Sequence, residues 1–187
     1  MKIIATVYTL FFFNLTSVYC QSINDNLETE KINETYYLKN NLNSQTFRNG
    51  DKINLVKTKD EWLEACQKGM PVCCYYNFDF KSENLGLLYN YYALIDNRNL
   101  SPEGFRLLNE NDELPNNLTI KTQGGTYSGK AAQFFGKNEF TLFWSLCIDS
   151  DPEINTYCYW KILPEDSPII FEDFPKCQGM FIRCIKE

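Results

Sequence analysis

Eight cysteines and no histidine bound the chemistry open to this chain of 187 residues. Without imidazole, Ser-His-Asp and Cys-His nucleophile systems and histidine-bearing zinc sites are excluded, so catalysis would fall to carboxylates, lysine, tyrosine or thiols. Cys73-Cys74 is a vicinal pair of the kind that can be redox-active or hold a soft ion such as copper(I). Adjacent residues of a strand point to opposite faces, however, which favours a distant partner for each. Asp149, Asp151 and Glu153 alternate in a loop and offer oxygen ligands to calcium. The glycine and downstream glutamate of an EF-hand loop are missing, and a solvated hairpin tip accounts for the three acids. Asp96, Asn97 and Asn99 are explained by turn chemistry. Tyr75, Tyr76, Tyr89, Tyr91 and Tyr92 either stack sugar rings or fill a core with their hydroxyls satisfied internally, and the core role is the favoured reading. Gly124-Gly125 lacks the Gly-Lys-Ser/Thr sequence of a phosphate-binding loop. No pair of carboxylates stands out for glycoside hydrolysis.

The elements that would position these groups begin with an export signal. Met1-Lys2 and the apolar run Ile3 to Val18 predict a signal peptide over residues 1–20, too short to span a bilayer and interrupted by Asn14 and Thr16. Cys20 is either removed with it or kept as a lipidated terminus, which Tyr19 fits poorly. No second apolar run of spanning length follows, so no transmembrane segment is expected in the mature chain. Its location is then secreted or extracellular, cell-surface attachment included. A formal net charge of −6 argues against nucleic-acid binding. In an oxidising compartment Cys66, Cys73, Cys74, Cys147, Cys158, Cys177 and Cys184 read as disulfide candidates, the odd count leaving one unpaired. Asn33 and Asn117 open N-glycosylation sequons, usable in a eukaryotic secretory pathway.

Residues 21–50 are polar, rich in Asn, Glu, Ser and Thr, and read as a poorly ordered N-terminal arm. The domain is expected over 51–187. It opens with a strand at Ile53 to Val56 and a helix from about Thr58 to Cys66, capped by Thr58 or Asp60 and turning Trp62, Leu63 and Cys66 inward. Val72 to Phe80 and Leu85 to Leu94 read as extended segments, and the region of Gly124-Gly125, Gly129 and Gly136 as one of little regular structure. Phe140 to Ile148 and Thr156 to Leu163 form a hairpin with a longish loop, which would set Cys147 opposite Cys158 if the loop is symmetric. Met180 to Ile185 is a final strand.

Glu61-Trp62, Cys74-Tyr75-Tyr76-Asn77, Gly86-Leu87-Leu88-Tyr89-Asn90-Tyr91-Tyr92-Ala93-Leu94 and Asp96 to Phe105 occur in a distinctive order. Gly124-Gly125 to Ala131, Phe143-Trp144-Ser145 and Gly179-Met180-Phe181-Ile182-Arg183-Cys184 follow. This series resembles the Fibrobacter succinogenes major paralogous domain, of the wider formylglycine-generating-enzyme-like and C-type-lectin-like folds, over residues 51–187. Where the family has a helix after its Pro-Gly-aromatic segment, Asn111, Pro115 and Asn116 predict that it is shortened or lost. The resemblance implies an α+β, C-type-lectin-like domain with a twisted antiparallel sheet, one or two helices and long irregular loops, generally without catalysis. The copper-binding cysteine pair of the formylglycine-generating enzymes does not map onto Cys73 and Cys74 or onto Cys177 and Cys184.

These readings together predict a secreted, non-catalytic binding or surface-accessory domain that needs no cofactor and takes a glycan or protein ligand. The rival is a thiol- or copper-dependent oxidoreductase on the same scaffold.

Overall fold

The computed structural model describes residues 27–112, 124–147, 159–162 and 176–187. Its first element corrects an expectation. Thr29–Ile32 (β1) and Thr35–Leu38 (β2) form an antiparallel hairpin where a poorly ordered arm was expected. Asn33 occupies the exposed turn at φ 53°, a left-handed conformation that asparagine tolerates better than most residues. Polar composition hid the reason the segment orders: Tyr37, Leu38, Leu42 and Phe47 are buried, enough apolar surface to hold the polar residues between them in place.

A short strand, Asn54–Leu55 (β3), leads into helix α1 (Lys59–Gln67). The Thr58 hydroxyl accepts the Glu61 N–H at 3.3 Å, so Thr58 is the cap rather than Asp60, and the Glu61 carboxylate accepts the Lys57 N–H at 2.7 Å. The buried face carries Trp62, Ala65 and Cys66, with Leu63 half-buried at its margin. Val72–Cys74 (β4) pairs in parallel with β3 and antiparallel with Leu88–Tyr89 (β5). Both extended segments expected here are shorter than predicted. Two 3-10 turns, Tyr76–Phe78 and Phe80–Leu85, break the first. The second gives way to a helical turn, α2 (Tyr91–Leu94), because the Asn90 carboxamide accepts the Ala93 N–H and caps it.

Phe105–Leu107 (β6) stands directly after the Pro-Gly turn, ahead of the point where the family's helix was expected to be shortened or lost. The glycine-bearing region is more regular than predicted: Gly124–Ser128 (β7) and Gln133–Lys137 (β8) make a hairpin. Thr141–Trp144 (β9) pairs in parallel with β7 and antiparallel with Tyr159–Ile162 (β10), which is the expected hairpin. Cys184–Lys186 (β11) closes the chain's β structure between β2 and β6. Among the described residues the result is an α+β fold of three small sheets, ordered β1-β2-β11-β6, β10-β9-β7-β8 and β3-β4-β5. No helix among the described residues is long and apolar enough to cross a membrane.

One segment joins the sheets. Gly179 and Tyr127 exchange both main-chain hydrogen bonds, and so do Met180 and Tyr89. Phe181 donates to Leu142 and accepts from Trp144, and Ile182 accepts from Leu42. Side chains alternate along this spine as strand geometry requires. Met180 and Ile182 enter one apolar cluster, and Phe181 enters the other. The strands beside it sort in the same way. Cys73, Leu87, Tyr89, Leu142 and Trp144 belong to the first cluster, and Cys74, Leu88 and Phe143 to the second. The fold therefore has two cores, one on each side of a composite strand layer.

Removing residues 178–187 strips hydrogen-bond partners from four separate segments and buried side chains from both cores. The shortened chain is expected to lose cooperative unfolding and amide dispersion, read by circular dichroism melting and proton NMR; a sharp melt would contradict the role given to the spine.

Candidate functional site

A groove of about 930 Å³ opens on the face built by the residues between β2 and β3. Its lining comes from three stretches of chain: Leu38 and Asn40 to Arg48, Glu83 to Gly86, and Leu100 to Glu103, with Leu27 and Glu28 at one end. More of the lining surface is apolar than polar, and carboxamides, hydroxyls and carboxylates are set into it, among them Asn40, Asn43, Gln45, Thr46, Asn84 and Glu103. None of these residues figured among the sequence candidates, and those from Asn40 to Thr46 lie in the stretch read as an arm. The available signal was the pair of apolar anchors, Leu42 and Phe47, inside the polar run.

Three attachments fix the long 38–48 stretch. First, Arg183 of the spine is 1% exposed and donates from its guanidinium to the Leu38 carbonyl and, at 2.9 Å, to Asn41 Oδ1. It also lies over the Phe143 ring, 5.5 Å from the centroid. Burial lowers its pKa to about 10, far enough above neutrality for the cation to persist. Secondly, Asn41 Nδ2 donates to the Leu85 carbonyl at 2.7 Å, and Leu87 N–H donates to the Leu42 carbonyl at 3.0 Å. Gly86 permits this approach: at φ +84°, a Cβ there would lie 2.8 Å from Asn41 Cβ. Thirdly, the Tyr89 hydroxyl accepts the Ser44 N–H at 3.0 Å and donates to the Ser44 carbonyl at 2.8 Å.

Charged side chains hold the opposite edge. Arg48 donates to the Ser101 carbonyl and hydroxyl at 3.0 and 2.8 Å and to the Pro102 carbonyl at 2.9 Å. Arg98 packs over the Phe47 ring at 4.1 Å and pairs with Asp96 at 2.7 Å and Asp51 at 3.3 Å. The hydrogen-bonded Arg98 guanidinium holds the Asp96 carboxyl below its ordinary range.

The tyrosine cluster divides. Tyr75, Tyr76 and Tyr89 are buried, while Tyr91 and Tyr92 are half-buried on α2. The core role holds for the first three, and at Tyr89 burial pushes the phenol well above its ordinary value. Asn90 proved more important than its tyrosine neighbours. It is fully buried, accepts from Val72 N–H and Ala93 N–H, and donates to the Met70 carbonyl at 2.8 Å.

The disulfide candidates divide. Cys66, Cys73, Cys74, Cys177 and Cys184 are free thiols. Four of them are buried in apolar clusters, where cysteine packs as a small hydrophobe. Burial pushes the thiols of Cys73 and Cys184 up to about 12. Cys74 shifts in the same direction for the same reason. Cys73 and Cys74 do face opposite cores, as adjacent strand residues must. Cys147 is disulfide-bonded, with a partner outside the described residues. Cys158, Asn117, Asp149, Asp151 and Glu153 also lie outside them. Asn33 is solvent-exposed at its hairpin turn.

Residues 31–123 match the family model of the Fibrobacter succinogenes major domain. That segment belongs to the family. The match begins within β1 and takes in every groove residue from Leu38 to Glu103. It thus starts earlier than the motif series suggested and ends before β7, leaving the spine outside it. No match was found among curated proteins or among solved structures.

Tyr89→Phe removes the one side-chain group that holds both polar atoms of the Ser44 backbone. A loss of about 1–2 kcal/mol is expected, with faster amide exchange at Ser44 than elsewhere. Unchanged stability and exchange would refute that attachment. Asp96 supplies a pH test. A carboxyl whose folded pKa is depressed contributes fully above its unfolded value, near ~4, and loses that contribution as pH falls through the folded value. Asp96→Asn should therefore lower the midpoint of thermal unfolding at pH 7, and its difference from wild type should shrink as the pH falls through the acid range.

Proposed function

We propose that the chain is an exported, non-catalytic binding domain whose groove takes a glycan. The observation that carries the reading is the character of the groove: a preformed concavity of about 930 Å³ with converging carboxamides, hydroxyls and carboxylates. Such groups match the alternating donors and acceptors of sugar hydroxyls, and a ligand site is typically concave and preformed. The attachments from Arg183, Gly86 and Tyr89 limit the loop ordering that binding would otherwise require, which favours affinity.

An aromatic platform stands close by. Phe80 is 62% exposed and meets the Tyr75 ring edge-on, with centroids 5.4 Å apart. The Tyr75 hydroxyl accepts from Gln45 of the groove at 3.5 Å. A sugar ring stacked on Phe80 would bury apolar area beside the lining's polar groups, so this residue replaces the buried tyrosines as the stacking candidate. The α+β arrangement of small sheets, two helices and long irregular connections is compatible with a C-type-lectin-like class.

The oxidoreductase reading has weaker support. Cys73 and Cys74 face different cores, and burial disfavours the thiolate that redox chemistry or copper(I) ligation would use.

A glycan array probed with the folded chain should return a specific set of oligosaccharides. Asn43→Ala and Phe80→Ala should each weaken the best of them about tenfold, with melting unchanged. An empty array, or affinities indifferent to both substitutions, would reject the glycan reading. A protein captured through the same residues would reassign the ligand class.

A further inference from the structure

Cys66 and Cys177 meet in the second core. Cys177 packs against the apolar cluster that holds the buried Cys66, and the two thiols interact closely enough to raise the Cys66 pKa. Their meeting is prepared by the surrounding backbone. Trp62, one turn before Cys66 on α1, donates its indole N–H to the Cys177 carbonyl at 2.9 Å, which places Cys177 along the same helical face. On the other side Gly129 makes room, since a Cβ at that position would stand 2.5 Å from Cys177 Cβ. Cys177 immediately precedes the spine, with Gln178 and Gly179 buried after it.

We propose that Cys66 and Cys177 are a structural disulfide pair that closes when the chain meets an oxidising thiol–disulfide pool. It ties helix α1 to the start of the spine. The two residues differ in access, which orders the chemistry: Cys177 is half-exposed, whereas Cys66 is only 4% exposed. The Cys177 thiol loses its proton and attacks a low-molecular-weight disulfide, breaking its S–S bond and releasing one thiolate. The Cys66 sulfur, likewise deprotonated, attacks the Cys177 sulfur of the mixed disulfide and expels the second thiolate. Two protein thiols are oxidised, one external disulfide is reduced to two thiols, and the two protons pass to the departing thiolates. Cys73 and Cys184 take no part, each buried on the other side of the strand layer. Closing a loop from residue 66 to residue 177 removes a large share of the unfolded chain's freedom.

The test uses the full chain, reduced and then equilibrated with glutathione and glutathione disulfide. Unreduced digestion and mass spectrometry should show the peptide of Cys66 joined to that of Cys177, while Cys73, Cys74 and Cys184 become alkylatable only on denaturation. Cys66→Ser should accumulate one glutathione on Cys177. Cys177→Ser, at the more exposed position, should fold and should lack about 5–10 °C of the stabilisation that oxidation gives wild type, with the Cys147 bridge common to both. A merely packed pair would leave that difference at zero. Bridging of Cys66 to Cys74, both thiols still alkylatable after oxidation, or equal oxidative stabilisation of wild type and Cys177→Ser would each overturn the proposal.

Discussion

The main-chain hydrogen bonding of Gly179–Ile182 is the constraint on which the rest of this fold depends. Four residues bond to β5, β7, β9 and the 38–48 stretch. Backbone groups inside a protein must find partners, so each of those segments is placed by the need to satisfy the same short strand. Alternation of Met180, Phe181 and Ile182 then assigns the facing side chains to one core or the other. The next residue extends the constraint outward. Arg183 has little access to water, and its guanidinium finds the Leu38 carbonyl and Asn41 instead, which positions the start of the groove-lining stretch.

Buried polar groups carry comparable weight at the other junctions. Asn90 satisfies Val72 and Ala93 donors and the Met70 acceptor at once, so a single carboxamide links the start of β4, the residue two positions before it and the cap of α2. Tyr89, its neighbour, holds Ser44 by both backbone atoms. In a low-dielectric setting such groups are costly if left unpaired, and fully paired they select one arrangement. The same economy of contacts makes the groove stiff: its lining is open, but several of the groups that hold the lining in place are buried.

Much of the fold could be read locally. Thr58 and Glu61 announced the start of α1, and the spacing of Trp62 and Cys66 announced its inner face. The apolar runs around Phe143 and Trp160 announced the β9–β10 hairpin, and the ordered series of short motifs pointed to the family that residues 31–123 match. Errors arose where local and tertiary signals diverge. Residues 29–48 are polar on average, but Tyr37, Leu38, Leu42 and Phe47 are enough to dock them. Tyr91–Leu94 is aromatic and β-prone, but Asn90 caps it into a helical turn. The glycines near residue 125 suggested irregularity and instead let strands β7 and β8 approach closely.

The amino-acid sequence alone determined the chemical repertoire and the local elements: a chain without imidazole, its helix caps, its alternating strands and its family. Those properties depend on residue identity and near-neighbour spacing, which are written directly in the order of residues. Only the tertiary structure decided that a polar stretch becomes the wall of a groove, that Cys73 and Cys74 look into different cores, and that Cys66 meets Cys177. Each of these depends on contacts between residues far apart along the chain, whose energies come from burial and from hydrogen bonds formed only once the spine is in place.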